Sequence, residues 1–369
     1  MYVLIATQVA FCFFVLFLAG LFSTTLNRLS KRPLGFSPAR VLTLETTARQ
    51  AQSPVVWEQL ADQLRATQGV ESVALSRWPL LKGITTNGFV SVNGAPPGPV
   101  LAYFLNVSPG WLGTMKLSLL DGRDLGPNDV APGYALVNEA FARQYFEGEN
   151  PVGKTFSRTN GSFQVVGLVK DAPYRNLREP TLPFAYVPLR TVDSAGALEP
   201  MRNSTFVVRT TREDAAALAP VLRAALMRAR PDFRVSDLRT QQALVDAQTV
   251  RERLLAMLAA FFAAVAVLLA AIGLYGVLDY SVLQRRREIG IRLAIGSQGS
   301  GIARLVAGEA LAAVVVGSAV GLGLGLASGY YIGMLAVPML AILGSSVVAA
   351  LAPVLRAIRI DPIAMLRAE

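Results

Sequence analysis

The chain has 369 residues, of which 53% are hydrophobic and only 16% charged, against about a quarter charged in an ordinary soluble domain, so part of it belongs in a membrane. It carries 35 Lys and Arg against 25 Asp and Glu, a net charge of +10, with no histidine and a single cysteine, Cys12. That excludes an intramolecular disulfide, a soft metal-ligand cluster and any Ser–His or Cys–His nucleophile, and no catalytic residue, cofactor, metal or nucleic-acid role is expected.

The first element, Val3 to Phe22, holds no Asp, Glu, Lys or Arg and is long enough to cross a bilayer core of roughly 30 Å. No Lys or Arg precedes it and no A-x-A-like site follows, which favours a retained span over a cleaved signal peptide. Beyond it, VLTLET (Val41 to Thr46) reads as a strand. Ser53-Pro54 then opens a helix whose stripe of Val56, Leu60 and Leu64 stops at Gly69, and VESVALS (Val70 to Ser76) is again strand-like. The same order recurs in TFVVRT (Thr205 to Thr210), a helix capped by Thr211 with Asp214 three residues on, and FRVSDL (Phe233 to Leu238). Two separated strand-helix-strand units predict a split βαβ part of ferredoxin-like kind, with a β-rich insertion between them over about residues 106–190.

Inside that insertion, GENPVGKT (Gly148 to Thr155) matches the G-x-x-x-x-G-K-[ST] pattern of nucleotide phosphate loops. A phosphate loop needs a strand before it and a helix after it. Here Val137, Phe141 and Tyr145 predict a helix before it, and Asn160-Gly161 predicts a hairpin after it, so Pro151 and Gly153 read as turn residues. No cluster of carboxylates or hydroxyls in this segment has catalytic spacing, which points to binding or force transmission.

Leu254 to Leu278 is a second uncharged stretch, and Ala310 to Leu355 a third, more than twice too long for one crossing. The third must fold back, and Ser328-Gly329, Gly333 and Pro338 mark the turn. This predicts four helices in a 1+3 arrangement around an α+β extracytoplasmic domain. Arg285, Arg286, Arg287, Arg292 and Arg304 after the second span, and Arg356, Arg359 and Arg367 in the tail, put those segments in the cytoplasm. Arg28, Lys31, Arg32 and Arg40 after the first span argue the other way and are outweighed, because basic residues orient best in short loops.

Directly after the second span comes LQRRREIGIRLAIGS (Leu283 to Ser297). Glu288 and Arg292 have the i,i+4 order that favours a helical pair, yet Ile289, Ile291, Leu293 and Ile295 alternate with period two, so helix and strand both stay open. So do two roles, a topology anchor at an anionic leaflet and a docking site for a partner. Glu309 lies near the cytoplasmic end of the third span, within reach of Arg304. Gly317, Gly321, Gly325 and Gly329 repeat every four residues, a packing face for a partner unit or for the fourth helix.

RRREIGIRLAIGS resembles the signature after the second helix of FtsX-like, MacB-type ABC transporter permeases, and LAPVLRAIRIDPIAMLRAE resembles that family's C-terminus. NVSPGWLGTMKLSLLDGRDL, ALVNEAFARQYFEGENPVGKTF and VVGLVKDAPYRNLREPTLPFAYVPL are similar to the MacB-type periplasmic core domain. LIATQVAFCFFVLFLAGLF resembles the helix that opens the second half of the duplicated orphan permeases of acidobacteria. The resemblance implies a first membrane helix in 1–25, a periplasmic core domain in 26–250, a second helix in 251–282, a cytoplasmic coupling loop in 283–304, two more helices in 305–355 and a tail in 356–369. It implies an inner-membrane permease subunit, itself no enzyme, that pairs with a second permease unit, docks a separate ABC ATPase and passes ATPase-driven motion to the periplasm for export, with a periplasmic partner. Arg287, Glu288, Gly290, Arg292 and Gly296 are then the candidate ATPase-coupling residues. Two departures, no cytoplasmic segment ahead of the first helix and a short loop between the third and fourth, leave open a complete permease, one half of a duplicated one, or a unit that no longer transports. The alternative function is a non-transporting, membrane-anchored signalling or scaffold protein whose ectodomain binds an envelope partner.

Overall fold

The computed structural model describes residues 2–295 except 160, and then 301, 304, 308, 312, 314–320, 322–323 and 336–358. These divide into two compact units, Lys31–Thr249 and a helical one built from Met1–Ser30 with Val250–Glu369.

The helical unit begins with α1 (Tyr2–Ser30), which runs past the predicted end at 25. In its last turns Thr24 and Thr25 donate their hydroxyls back to the Gly20 and Leu21 carbonyls, at 2.8 and 2.9 Å, so the polar side chains stay satisfied inside the helix.

The α/β unit is built on one sheet of twelve strands. Four of them, with two helices, form the expected split βαβ part. β1 (Val41–Gln52), α2 (Pro54–Arg65) and β2 (Val70–Ser76) make the first unit. β11 (Met201–Thr210), α5 (Ala219–Ala229) and β12 (Phe233–Thr240) make the second. The spatial order is β12-β1-β11-β2 with every neighbour antiparallel, so each unit's two strands flank a strand of the other. That interleaving is what lets two segments so far apart in sequence share one core. Trp57 on α2 is its centre, fully buried edge-on to Phe233 at 4.7 Å and beside Phe206 at 5.9 Å. Its indole N–H donates to the Met201 carbonyl at 3.3 Å.

Two local expectations are corrected. Asp214, not Thr211, caps the second helix: its side chain accepts from the Ala216 N–H at 3.0 Å and opens a 3-10 turn, Ala215–Leu218, ahead of α5. Thr211 is held instead by the Gly69 carbonyl, to which its backbone N–H donates at 2.9 Å. Val137 is not helical; it lies in β7 (Tyr134–Asn138), buried between β9 and β10. A short, fully buried apolar run has no period to separate strand from helix.

The insertion is also larger than 106–190. It begins with β3 (Thr86–Phe89) and β4 (Ser91–Val92), continues with β5 (Leu101–Val107), α3 (Trp111–Met115) and β6 (Leu119–Gly122), and after β7 adds α4 (Glu139–Tyr145), β8 (Thr155–Arg158), β9 (Gly161–Val169) and β10 (Phe184–Pro188). The sheet continues from β2 through β5, β10, β7, β9 and β8 to β4. A second core fills this half, with Phe156 and Phe163 stacked at 5.3 Å and Phe141 at 5.0 Å from Phe156. α6 (Gln241–Ala247) closes the unit.

Returning to the helical unit, α7 (Val250–Gln284), α8 (Arg286–Ala294) and α9 (Ala336–Ile358) complete its described elements. Among the described residues three helices are long and apolar enough to cross a membrane, within α1, α7 and α9. Phe13, Phe17, Leu274, Leu278 and Ile342 are buried in their common core. A Cβ on Gly273 of α7 would lie 2.6 Å from the Gln8 Oε1 of α1, and the later residues Phe11 to Phe22 of α1 line one groove with the earlier residues Leu255 to Leu269 of α7, so these helices are antiparallel. α9 begins at Ala336, which puts Pro338 in its first turn rather than in the preceding bend. Ser328, Gly329 and Gly333 lie outside the described residues.

Candidate functional site

The charged segment after α7 is helical. α7 reaches Gln284, and after a single non-helical residue, Arg285, α8 continues the chain. The Arg285 N–H still donates to Ser281 and the Ile289 N–H to Arg285, at 3.2 and 2.9 Å, so hydrogen bonding carries across the junction. Glu288 and Arg292 form the ion pair their spacing predicts, 2.6 Å apart and about half exposed. This exposure makes the pair a weak stabiliser, worth about 0.3–0.5 kcal/mol, which leaves both groups available to a partner.

The period-two pattern resolves into two helix faces. Ile289 is 1% exposed and Gly290 buried, so this side turns inward. Ile291 is 48% and Ile295 80% exposed; at 100° per residue they fall on the same stripe as Glu288 and Arg292. The outward face of α8, extended by Ile295 just past its end, whose N–H still donates to the Ile291 carbonyl at 3.1 Å, therefore combines two bare isoleucines with an ion pair. Of the five residues singled out from the sequence, Glu288 and Arg292 lie on that face, Arg287 is exposed beside it, and Gly290 is a buried spacer. Gly296 lies outside the described residues. Ile291 and Ile295 share that face; their alternation is visible in the sequence, and only the helix shows that they cluster.

One contact at this end of the helical unit was not foreseen. Asp279, five residues before the end of α7, accepts from Arg356 at 2.8 Å, and the Arg356 guanidinium lies over the Tyr275 ring at 5.7 Å. Arg356 is in the last turn of α9 and not in a free tail, so α7 and α9 run parallel, with their charged ends clamped beside the start of α8. The available signal was Asp279 itself, an acid at the edge of an apolar run facing a basic residue at the edge of another.

Gly317 sits in a helical stretch, residues 314–320, and packs on α1: a Cβ there would lie 2.8 Å from both the Ala6 carbonyl oxygen and the Val9 Cβ. At Gly317 the neighbour is therefore the first helix. Gly321, Gly325, Gly329 and Glu309 lie outside the described residues.

In the α/β unit the two chain segments leading to and from the membrane helices meet on one loop. Arg32, two residues past α1, donates to the Glu179 carbonyl at 2.7 Å and also to the Leu177 carbonyl. Arg178 donates to the carbonyl of Gln248, two residues before α7, at 2.8 Å. Gln248 in turn donates to Leu81 at 2.9 Å. Arg175 and Glu179 brace the loop with a two-pronged ion pair, and that hydrogen bonding holds the Arg175 guanidinium above its ordinary value. A second fastening is Arg209, 1% exposed, which donates to the carbonyls of Thr114, Ala39 and Ser37 at 2.6, 2.9 and 2.9 Å.

The phosphate-loop pattern is a decoy. It follows α4 and leads into β8, with no helix for a phosphate to cap. Gly148 and Gly153 take φ of +83° and +86° in tight turns, the Lys154 N–H closes on the Pro151 carbonyl at 3.0 Å, and the Lys154 ammonium is paired with Glu149 at 2.5 Å. Arg158 and Gly161 pair across the β8–β9 hairpin, whereas Asn160 lies outside the described residues. Among the described residues no group of three His, Cys, Asp or Glu is placed to hold a metal ion.

Two family models match the chain: the MacB-like periplasmic core domain over residues 3–225 and the FtsX-like permease C-terminal domain over 260–362. Among curated proteins, the chain is 29% identical to the macrolide export ATP-binding/permease protein MacB of Rhodospirillum rubrum, over 68% of this chain and 40% of that protein. It is 26% identical to the pyoverdine export ATP-binding/permease protein PvdT of Pseudomonas aeruginosa, over 65% of this chain and 38% of that one. The chain thus spans about two fifths of the length of the curated relatives it matches. Among solved structures, the periplasmic region of MacB from Actinobacillus actinomycetemcomitans aligns over 58% of this chain and 94% of its own, with 18% identity and a TM-score of 0.40.

Proposed function

Because the chain belongs to the MacB-like, FtsX-like family of ABC transporter permeases, we propose that it works as a permease subunit that docks a separate ATPase on α8 and transmits that ATPase's motion to its α/β domain. The observation that carries the proposal is the outward face of α8, where Ile291 and Ile295 lie exposed beside the Glu288–Arg292 pair directly behind a membrane helix. Bare isoleucines flanked by a solvent-shared ion pair suit a protein surface better than a lipid headgroup, which basic residues alone would satisfy.

The α/β unit then faces the periplasm and the helical unit spans the inner membrane in four crossings. The parallel run of α7 and α9 supports this count, since a chain that crosses twice in one direction must return in between. Motion reaches the periplasm through the loop 175–179, where Arg32 and Arg178 tie it to the segments joined to α1 and α7. A second permease unit, either another copy or the other half of a duplicated permease, completes the transporter. The relatives named for macrolide and pyoverdine export support efflux as the direction, and the cargo stays open.

The test is affinity purification from native membranes in mild detergent, with mass spectrometry of what is recovered, for the wild type and for Glu288→Arg/Arg292→Glu. The swap keeps an ion pair within the helix while reversing the charge order shown to a partner, at a cost of a few tenths of a kcal/mol to the helix. The expected outcome is an ATPase recovered with the wild type and lost with the swap. Recovery of envelope proteins alone, indifferent to the swap, would replace the permease reading with the non-transporting scaffold.

A further inference from the structure

The α/β unit holds a cleft of about 470 Å³ where its split βαβ half meets the insertion. Its walls come from β5, β8, β9, β10 and the start of β11, with Trp78 just past β2. Three guanidinium groups, those of Arg77, Arg158 and Arg202, line it against one carboxylate, Glu199. Arg158 is half-buried with its guanidinium carbon 3.7 Å from the centre of the Phe104 ring. It makes no ion pair among the described residues, and burial alone pushes its guanidinium below the ordinary value. Stacking on the ring offsets part of the cost of desolvating that charge, and among the described residues no ion pair balances the rest. Arg77 and Arg202 are exposed at the rim and form no ion pair among the described residues; Arg202 donates only to the Ala48 carbonyl, at 3.3 Å.

Three guanidinium groups around one hollow repel one another, and Arg158 is partly desolvated besides, so an anion bound among them would relieve both costs. The remaining walls are mixed: Phe163, Val187 and Leu189 form an apolar side, and Thr86, Asn106 and Thr191 add polar groups. The volume falls within the roughly 300–1,000 Å³ typical of small-molecule sites. We propose that this cleft binds a small organic carboxylate, its anionic group held by Arg158 together with Arg77 and Arg202, and its aromatic or aliphatic body laid along Phe163 and Val187. A planar guanidinium held rigidly on an aromatic ring presents its N–H fork in a fixed direction, which suits a carboxylate. The ligand class does not depend on α8 docking an ATPase or on transport.

The test is calorimetric titration of the full chain in lipid nanodiscs with 4-phenylbutyrate, with its uncharged amide and with inorganic phosphate. Trp78 emission serves as a second readout, since Trp57 and Trp111 are buried in the cores and silent to the cleft. The expected result is saturable binding of 4-phenylbutyrate in the millimolar range or tighter, at least tenfold weaker binding of the amide and of phosphate, and a matching emission change. Arg158→Gln should weaken 4-phenylbutyrate by about tenfold or more. Arg77→Gln/Arg202→Gln, at two exposed positions that leave the fold intact, should do the same and stands in should the Arg158 variant misfold. Equal binding of acid and amide, phosphate binding as tightly as the acid, unchanged affinity in the rim variant, or no binding at all would each overturn the proposal.

Discussion

Replacing Arg209 with methionine tests how the segment leaving α1 is fastened to the α/β domain. The guanidinium is almost fully buried and gives three hydrogen bonds, to Ser37 and Ala39 in the linker and to Thr114 in α3. Methionine fills much of the same volume but leaves three carbonyls without their donor. Each bond from a charged donor is worth about 1.5–3 kcal/mol, while removing the buried charge returns several kcal/mol of desolvation cost. The expected net loss is about 3 kcal/mol, felt first in the linker, which corresponds to roughly a hundredfold shift in its opening equilibrium. Hydrogen exchange on the full chain in nanodiscs reads this directly, because the Ser37 N–H donates to Met115 and the Thr210 N–H to Arg40, at 2.9 and 2.8 Å. Both amides should exchange about a hundredfold faster in Arg209→Met. Arg209→Lys should also lose most of the protection, since a point-charge ammonium cannot span three carbonyls as the planar fork does. A Ser37 exchange rate in Arg209→Met within about threefold of the wild type would refute the fastening role.

Gly317→Leu should separate the 314–320 helix from α1 and cost about 1–3 kcal/mol, lowering the melting temperature in detergent by several degrees, whereas Gly20→Ala, with nothing within 4 Å of its added methyl, should be neutral. Equal melting of the two variants would contradict the packing. Lys82 reaches Glu45 and Asp237, the latter at 3.0 Å; burial pulls the ammonium down, but the two carboxylates outweigh it and hold Lys82 above its ordinary value, while Lys82 and Arg239 likewise overcome burial to keep Asp237 below the usual carboxylate range. The stability gained through Asp237 is complete above an unfolded carboxylate pKa of about 3.9 and is lost as pH falls through the lower folded value; that gained through Lys82 is complete below about 10.4 and lost as pH rises through the higher one. The melting difference between wild type and Lys82→Met should therefore be flat around neutrality and shrink toward both extremes, and a difference that grows on acidification would count against this pairing. Lys154→Ala should change neither fluorescent-nucleotide binding nor stability by more than about 0.5 kcal/mol, as the exposed pair with Glu149 contributes little. Nucleotide binding abolished by that change would restore the phosphate-loop reading.

What the sequence determined by itself is the set of features that depend on nearest neighbours and on solvent. Uncharged stretches long enough to span a bilayer, the alternation of strand and helix on both sides of the insertion, and the failure of GENPVGKT as a phosphate loop are all properties of short windows, and hydrophobic burial enforces them wherever the chain goes. The i,i+4 spacing of Glu288 and Arg292 likewise predicted the pair that forms once the helix forms. Tertiary structure decided everything that depends on which distant residue comes near. Only packing separates Ile289, buried, from Ile291 and Ile295, exposed, although all three are isoleucines two residues or a few more apart. Val137 is a strand residue because β9 and β10 offer it hydrogen bonds on both sides. Gly317 faces α1, Asp279 finds Arg356, and three arginines far apart in sequence gather around one cleft, because the free energy of those contacts is non-local and no short window of sequence contains the partners.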